Sequence, residues 1–451
     1  MASPEAMLRR KVDIEAVEMS YEKIYRVPYG KRTVEFSLLP GMKGTRLDSR
    51  PSSPAKNPQA AISKALARPI GTPPLSRIAR PGNTVCIVFT DATRACPDRM
   101  LVPPLLSELK ASRVRDEDIT LLCGTGMHRP STENEKIAKL GGEIVSRYRV
   151  IDNDPQNPGE LVDLGKTSAG VPVVLHRAAV EADLVITTGI VEPHQYAGYS
   201  GGPKTLAIGA AGEASINHTH GPAFVDHEQT RLGRIELNPF HEAVAEAARR
   251  ANLAFILNVV GDAQGRILRV AAGDPDLAFR NLVAFARSVY EVPIPRQYDI
   301  AVGGAGFPKD SNLYQASRVP SYLFFAPKPV VRPGGYFIIP ARCEEGAGSG
   351  IGEKRFFSAL RDAPGVQSVL QDARRHGYPA GQQRAFVAAK VLEKSHIIIV
   401  ASECPDIVAA CKMIPAADMG EALQIAANDL GPACDVLVVP HALQTLPVIQ
   451  E

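Results

Sequence analysis

The chain has 451 residues, 45% of them hydrophobic, and its 51 Lys and Arg residues nearly balance 48 Asp and Glu residues. This length exceeds what a single hydrophobic core normally supports, so we expect two domains. The balanced charge argues against a surface dedicated to nucleic acid or to a membrane, whereas a small anionic substrate remains compatible.

Apolar, β-branched runs alternate with helical patterns in the first part of the chain. Strands are predicted at TVCIVFT (84–90), DITLLCG (118–124), DLVITTG (183–189) and FILNVV (255–260), and helices at 98–112 and 240–251. Such alternation is typical of an α/β fold with mainly parallel strands. Residues 47–82 are rich in Pro, Ser and Arg and are predicted to be a partly helical connection.

A proline-spaced segment, VPIPRQYD (292–299), predicts the domain boundary. Strand and helix patterns restart after it with IAVGGAG, YFIIPA, HIIIVAS and DVLVVP. We therefore predict an N-terminal α/β domain at 1–292 and a C-terminal α/β domain at 293–451, both with mainly parallel sheets. An active-site cleft is expected between them.

Polar side chains follow four predicted strands. In open α/β folds, binding and catalytic groups gather in the loops beyond the carboxyl ends of the strands. These loops read DATR, GTGMHRP, IVEPHQYAGYSGGPK and FPKDSNLYQASR, and they carry Asp91, Arg94, His128, His194, Lys204, Asp310, Tyr314, Gln315 and Arg318. A single such residue is more often a cap or a solvated side chain, but recurrence at four strand ends favours a site.

The third loop partly matches a phosphate-binding loop. Gly198, Lys204 and Thr205 fit the pattern GxxxxGK[ST], but Pro203 occupies the position of its second glycine. Proline has no backbone N–H to offer a phosphate, so this interpretation is disfavoured. The glycines still indicate a tight loop that lets a ligand approach the backbone.

The histidines suggest acid/base chemistry and leave a metal site open. His128 and His194 lie in glycine- and proline-bearing loops, where a general acid or base is a better explanation than a core histidine. His218 and His220 form an HxH pair that could bind zinc, but spacing does not identify a third ligand. A solvated helix end is the simpler interpretation of His218.

Five of these motifs occur in the order of a known family. DATR, GTGMHRP, HQYAGYSGGPK, a histidine sixteen residues after Lys204, and NLYQ resemble the nickel-pincer lactate racemase family over most of the chain. The resemblance implies nickel and a pyridinium-3-thioamide-5-thiocarboxylate mononucleotide, the nickel-pincer nucleotide, bound covalently to Lys204. It also implies that cofactor-synthesis proteins act on the chain.

The resemblance assigns roles to individual residues. It implies that His128, His194 and Arg94 are catalytic and that His220 binds the metal. It implies that substrate contacts come from Arg94, Gln315 and Arg318. Groups on the cofactor side would be Lys204, Asp91, Thr93, Gly198, Ser200, Gly201, Tyr314 and Gln315. The implied reaction is interconversion of the stereoisomers at C2 of a 2-hydroxy acid by proton-coupled hydride transfer.

Two positions depart from the family pattern. The family has a lysine three residues after the NLYQ glutamine, where this chain has Arg318, and a proline where it has Ile208. Because a planar guanidinium and a point charge bind carboxylates differently, we expect a substrate larger than lactate or dicarboxylic. The Ile208 change is expected to be structural.

Two other functions remain open from the residues. A zinc-dependent hydrolase would use the His218 and His220 pair, and a non-catalytic protein on the same scaffold would bind 2-hydroxy acids. The seven cysteines lack CxxC spacing, MASPEAMLRRKVDIEAVEM lacks an apolar leader, and no run of eighteen apolar residues follows. We therefore expect a cytoplasmic protein without membrane or nucleic-acid partners. The oligomeric state stays open.

Overall fold

The computed structural model describes residues 23–262 and 264–450, so MASPEAMLRRKVDIEAVEM lies outside the described part. The strands are β1 Tyr25–Tyr29, β2 Arg32–Phe36, β3 Lys43–Arg46, β4 Val85–Thr90, β5 Ile119–Gly124, β6 Arg149–Asp152, β7 Leu161–Lys166, β8 Pro172–His176, β9 Leu184–Ile190, β10 Pro193–His194, β11 Gly198–Tyr199, β12 Leu253–Gly261, β13 Ile267–Gly273, β14 Glu291–Ile294, β15 Tyr298–Gly303, β16 Val331–Pro340, β17 His396–Val400, β18 Ile414–Ala416, β19 Asp435–Val439 and β20 Leu446–Ile449.

Helices alternate with these strands through both halves of the chain. They are α1 Pro58–Ala67, α2 Leu75–Ile78, α3 Asp98–Ala111, α4 Glu133–Leu140, α5 Gly142–Arg147, α6 Arg177–Val180, α7 Lys204–Ala207, α8 Glu213–Thr219, α9 Pro222–Val225, α10 Pro239–Arg250, α11 Leu277–Tyr290, α12 Leu313–Ala316, α13 Arg318–Phe324, α14 Ile351–Asp362, α15 Val366–His376, α16 Gln383–Lys394, α17 Pro405–Ala410 and α18 Met419–Leu430. No described helix has the length and apolar content that a membrane span requires.

Two six-stranded sheets organise the molecule. The first has the order β13-β12-β9-β4-β5-β6, with only the β12–β13 pair antiparallel. The second has the order β18-β17-β16-β15-β19-β3 and is entirely parallel. The predicted α/β class with mainly parallel sheets is therefore confirmed.

The central strands are buried along their whole length. Every residue of β4 and β9 is buried, as expected for parallel strands covered by helices on both faces. Such strands contain near-continuous apolar runs, which is why they could be recognised in the sequence. Their carboxyl ends lie side by side, so the loops that follow β4, β5 and β9 leave the same edge of the first sheet.

The N-terminal strands join the second sheet. β3 pairs in parallel with β19, with Val436 opposite Gly44, and β1 and β2 form a hairpin whose buried residues pack in the same core as β16 and β19. The predicted boundary at 292/293 separates the other strands of the two sheets. The start of the described chain thus links the two halves, because it crosses from the second sheet into the first.

The predicted connection at 47–82 covers one edge of the first sheet. It contains α1 and α2, and Ile62, Leu66 and Leu75 are buried in the core beneath β4 and β5. Ile70 forms a bridge with Gly273 of β13. This confirms a partly helical connection and shows that it protects the edge strand.

A buried ion pair holds the first loops in place. Asp98, at the start of α3, is fully buried and accepts hydrogen bonds at 2.5 Å from the hydroxyls of Thr90 and Thr188. The Lys139 ammonium lies 2.7 Å from the same carboxylate and also donates to the Arg94 carbonyl. Because these partners satisfy the buried charge, they fix the ends of β4 and β9 relative to α3 and α4.

Candidate active site

The loop after β4 positions a carboxylate and a histidine. Asp91 is buried, and its Oδ1 accepts hydrogen bonds from the Thr93 backbone N–H and hydroxyl. Its Oδ2 lies 2.5 Å from Nδ1 of His128, which comes from the loop after β5. Burial raises the pKa of Asp91, but the hydrogen bonds from His128 and Thr93 outweigh it and lower the pKa to about 2.

This pair fixes the tautomer of His128. An ionised carboxylate can only accept a hydrogen bond, so Nδ1 of His128 carries the hydrogen and Nε2 carries the free lone pair. The His128 side chain is 47% exposed. An imidazole held in this way by a carboxylate can act as a general base at Nε2.

His194 has the opposite arrangement. Its Nδ1 accepts hydrogen bonds from the backbone N–H groups of Tyr196 at 3.3 Å and Ala197 at 3.2 Å, so the neutral ring carries its hydrogen on Nε2. Burial lowers the pKa of His194 well below its usual value, and the nearby cations Lys204 and Arg94 lower it further. The ring is therefore neutral at neutral pH and can donate from Nε2.

Lys204 begins the short helix α7, and the charged side chains near it shift the pKa of its amine. Burial and then Arg94 lower the pKa of its amine, Asp91 and Glu192 oppose the shift, and the resulting pKa is about 7. A substantial fraction of the amine is therefore neutral near pH 7, which makes it a nucleophile. Arg318, from the second half of the chain, also acts on this amine.

The glycines before Lys204 are required by packing within the protein. Gly198 and Gly201 have φ of +75° and +77°, and a Cβ on Gly198 would lie 1.9 Å from the Arg234 carbonyl oxygen. The hydroxyl of Ser200 donates to the Ile190 carbonyl at 2.7 Å and accepts from the backbone N–H of Glu192. These residues shape the loop that carries Lys204, and their direct contact with a cofactor stays a prediction.

His220 is oriented as a metal ligand would be. Its Nδ1 donates to the Ile216 carbonyl at 3.0 Å, which leaves the Nε2 lone pair free. Burial and then Lys204 lower its pKa to about 4, so the ring is neutral at neutral pH. The ring packs edge-on against Tyr196 and Phe240, with centroid distances of 5.3 and 5.1 Å.

The structure does not bring His218 together with His220 as a pair of ligands. His218 is exposed and its ring packs edge-on against Phe224 at 5.8 Å, whereas the His220 ring packs against Tyr196 and Phe240. Within residues 23–262 and 264–450, no group of three His, Cys, Asp or Glu residues lies close enough to hold a metal. This argues against a zinc site built from protein ligands alone.

The second half contributes α12 and α13. Asn312 caps α12 through the Gln315 backbone N–H, and the Gln315 side-chain oxygen accepts a hydrogen bond at 3.4 Å from the Arg318 guanidinium. The Tyr314 ring packs edge-on against Phe356 at 5.6 Å. Asp310 is buried and accepts from the Gly30 backbone N–H, so its role is to hold the loop.

Two charged residues of the site were missed by the sequence analysis. Lys309 precedes Asp310 in the same loop, and burial together with Arg318 and Arg94 lowers its pKa to about 8. Glu192 follows β9 and opposes the pKa shifts of both Lys204 and Lys309. Both stood in loops already singled out, but a lysine or glutamate in a polar loop carries no distinguishing pattern.

Both halves of the chain match models of one family. Residues 29–233 match the model described as "Lactate racemase N-terminal domain", and residues 295–446 match "Lactate racemase C-terminal domain". The lactate racemase of Thermoanaerobacterium thermosaccharolyticum is 31% identical over 423 residues, which cover 93% of this chain and 98% of that protein. The lactate racemase of Lactiplantibacillus plantarum is 32% identical over 425 residues, covering 92% and 98%.

Solved structures agree with this similarity. The lactate racemase apoprotein from Thermoanaerobacterium thermosaccharolyticum superposes with a TM-score of 0.85 at 30% identity, covering 95% of this chain and all of that chain. A Thermotoga maritima protein superposes with a TM-score of 0.64 at 18% identity, covering 89% of this chain and 100% of that one. The second likeness concerns the fold alone.

Proposed function

The chain belongs to the lactate racemase family and is an isomerase, and we propose that it interconverts the stereoisomers at C2 of a 2-hydroxy acid. The proposed route is proton-coupled hydride transfer with a nickel-pincer nucleotide attached to Lys204. The observation that carries the proposal is the buried Lys204 amine, whose pKa of about 7 makes it a nucleophile within electrostatic reach of His194, His220 and Arg94.

The residues present fit this cofactor. A neutral amine at Lys204 can form an amide-type bond, and His220 offers one imidazole lone pair with its other nitrogen fixed by a backbone carbonyl. Imidazole and sulfur donors suit nickel. When bound, the nucleotide would supply an acceptor for the hydride that leaves C2 of the substrate.

The protein side chains move and hold the proton. In this geometry His128 takes the hydroxyl proton at Nε2, and Asp91 stabilises the resulting imidazolium through Nδ1. His194 donates from Nε2 to a substrate oxygen. To act as the base for the opposite enantiomer, His194 must release the two backbone N–H groups that occupy Nδ1. Arg94 pairs with the carboxylate of the substrate or steadies the developing alkoxide.

We propose a substrate larger than lactate or dicarboxylic. The charges of Arg94 and Arg318 lower the pKa of both Lys204 and Lys309. The described part of the site therefore has more cations than carboxylates to neutralise them. When the Lys204 amine is bonded to the cofactor, Arg94, Arg318 and Lys309 remain as cations that can bind anionic groups of the substrate. A second carboxylate would neutralise more of this charge than a methyl group can.

Arg318→Lys is expected to shift the specificity toward smaller monocarboxylates. Lysine keeps the charge but loses the planar fork, so the ratio of kcat/KM for malate to that for lactate should fall by about tenfold. Racemisation of both acids by the wild type and the variant is followed by chiral chromatography. An unchanged ratio would show that Arg318 does not select the substrate.

Intact mass spectrometry tests the proposed function. The wild type co-expressed with cofactor-synthesis proteins should weigh more than its polypeptide and racemise a 2-hydroxy acid. Lys204→Ala should show the bare mass and no activity. Lys309→Met is the matched control: it removes a half-buried lysine whose pKa is also lowered, and it should keep the adduct. Racemisation by a wild-type chain of bare polypeptide mass would refute the proposal.

The same experiment separates the other two functions. A zinc-dependent hydrolase would bind metal without an added mass, and the placement of His218 argues against it. A non-catalytic binding protein would bind 2-hydroxy acids and leave their configuration unchanged. We also propose that the protein works in the cytoplasm, because its seven cysteines are all unpaired and six of them are buried.

A further inference from the structure

A buried guanidinium lies beside the site without a counter-ion. Arg384, near the start of α16, is 6% exposed, and no carboxylate pairs with it in the described part of the chain. Its Nη1 makes two long hydrogen bonds, to Gln195 Oε1 at 3.3 Å and Ser321 Oγ at 3.4 Å, and its Nε has no partner. A buried cation normally has an anion beside it, because desolvation otherwise destabilises it.

Three more unpartnered groups lie in the same region as this guanidinium. The Gln195 amide nitrogen, the Tyr196 hydroxyl and Nε of Arg318 are buried and have no hydrogen-bond partner among the described residues. Gln195 contacts Arg384 directly, and Arg384 and Arg318 both act electrostatically on the Tyr196 hydroxyl. A tyrosine hydroxyl carries its hydrogen at neutral pH and can therefore donate it.

All four groups can donate a hydrogen bond, and two of them are cations. Buried donors are almost always satisfied in native proteins, so four donor atoms that each lack an acceptor indicate that the acceptor comes from outside the chain. Water could satisfy single donors, but only an anion would also neutralise Arg384 and Arg318. A carboxylate or phosphate offers several acceptor oxygens to converging donors and matches the planar fork of arginine.

We propose that Arg384, Gln195, Tyr196 and Arg318 form a binding site for an oxyanion, a carboxylate or phosphate group of a bound ligand. The site joins the two halves of the molecule, because Gln195 and Tyr196 follow β10 whereas Arg318 and Arg384 begin α13 and α16. An anion bound there would hold the His194 loop against the second half.

The source of the oxyanion follows from the neighbours and rests on the proposed function. Gln195 adjoins His194, and Arg318 is the proposed substrate contact, so the second carboxylate of a dicarboxylic 2-hydroxy acid is one source. The phosphate of a pyridinium mononucleotide is the other. The existence of the site rests only on the unpartnered donors and would survive failure of the proposed reaction.

Titration calorimetry on the full chain, purified without cofactor-synthesis proteins, tests the site. The probes are L-malate, L-lactate and nicotinate mononucleotide. Arg384→Met should lower the affinity for the probe that binds at this site by about 10- to 100-fold, the loss expected for charge-assisted hydrogen bonds. If malate binding depends on Arg384 and lactate binding does not, the second carboxylate is the group bound at this site. If only the binding of the mononucleotide depends on Arg384, the phosphate is the group bound at this site.

Matched variants separate binding from folding. Gln195→Met removes another donor and should lower the affinity for the same probe while Arg384 is intact. Arg361→Met is the control, since Arg361 lies over the Phe357 ring as Arg384 lies over the Tyr314 ring, but it pairs with Asp362 at the surface. Without anions, Arg384→Met should melt no lower than the wild type, because it removes an uncompensated buried charge.

Two results would overturn the proposal. In the first, every probe binds Arg384→Met and Gln195→Met as tightly as it binds the wild type. In the second, no probe binds the wild type; a melting temperature of Arg384→Met well below that of the wild type would then show that Arg384 only holds the two halves together.

Discussion

Replacing Asp91 by asparagine is expected to lower kcat by about 10³- to 10⁴-fold, as the loss of an orienting carboxylate does in catalytic triads. Asp91 accepts from Nδ1 of His128 at 2.5 Å and so keeps the lone pair on Nε2. An asparagine can turn its NH₂ group toward Nδ1, which moves the hydrogen to Nε2 and removes the base. Steady-state kinetics on protein of verified adduct mass measures the effect.

A double variant shows whether Asp91 acts through His128. His128→Ala should lose at least as much activity as Asp91→Asn, and combining the two changes should add little, because groups that act as a unit are non-additive. KM and the mass added at Lys204 should stay near the wild-type values in both single variants. Losses that multiply in the double variant would show that Asp91 acts independently, for example by holding the Thr93 loop.

The sequence predicted the elements that carry continuous apolar runs. β4, β5, β9 and β12 are buried, and each lies within two residues of its predicted bounds. β3 was not predicted, because KGTR has a largely exposed, polar pattern and is held by backbone pairing with β19. Pairing with a distant strand leaves no periodic signal in the short strand itself.

Site residues were predictable where they follow strands. Asp91, His128 and His194 stand just beyond β4, β5 and β9, so strand prediction also placed them at one sheet edge. Arg384 could not be found this way. It lies in QQRAFVAAKVLEKS, where an arginine is an ordinary helix former, and only its burial without a carboxylate distinguishes it.

Replacing His220 by alanine is expected to remove the nickel and lower kcat/KM by more than about 100-fold. Loss of a group that merely hydrogen bonds to a metal ligand typically lowers affinity or activity by about 10- to 100-fold, so loss of the ligand should exceed this. The structure leaves His220 Nε2 free in a buried aromatic surround, with Nδ1 fixed by the Ile216 carbonyl. Elemental analysis measures nickel, and intact mass should show that the Lys204 adduct remains.

His218→Ala is the matched control on the same helix. The His218 side chain is exposed and packs on Phe224, so its loss should leave the nickel content and kcat/KM close to those of the wild type. If metal and activity depended on both histidines equally, the HxH pair would be the metal site, and the orientation of α8 would have to differ in the loaded enzyme. Dependence on His220 alone would require the remaining donors to come from the cofactor, since no group of three His, Cys, Asp or Glu residues in the described chain could hold the metal.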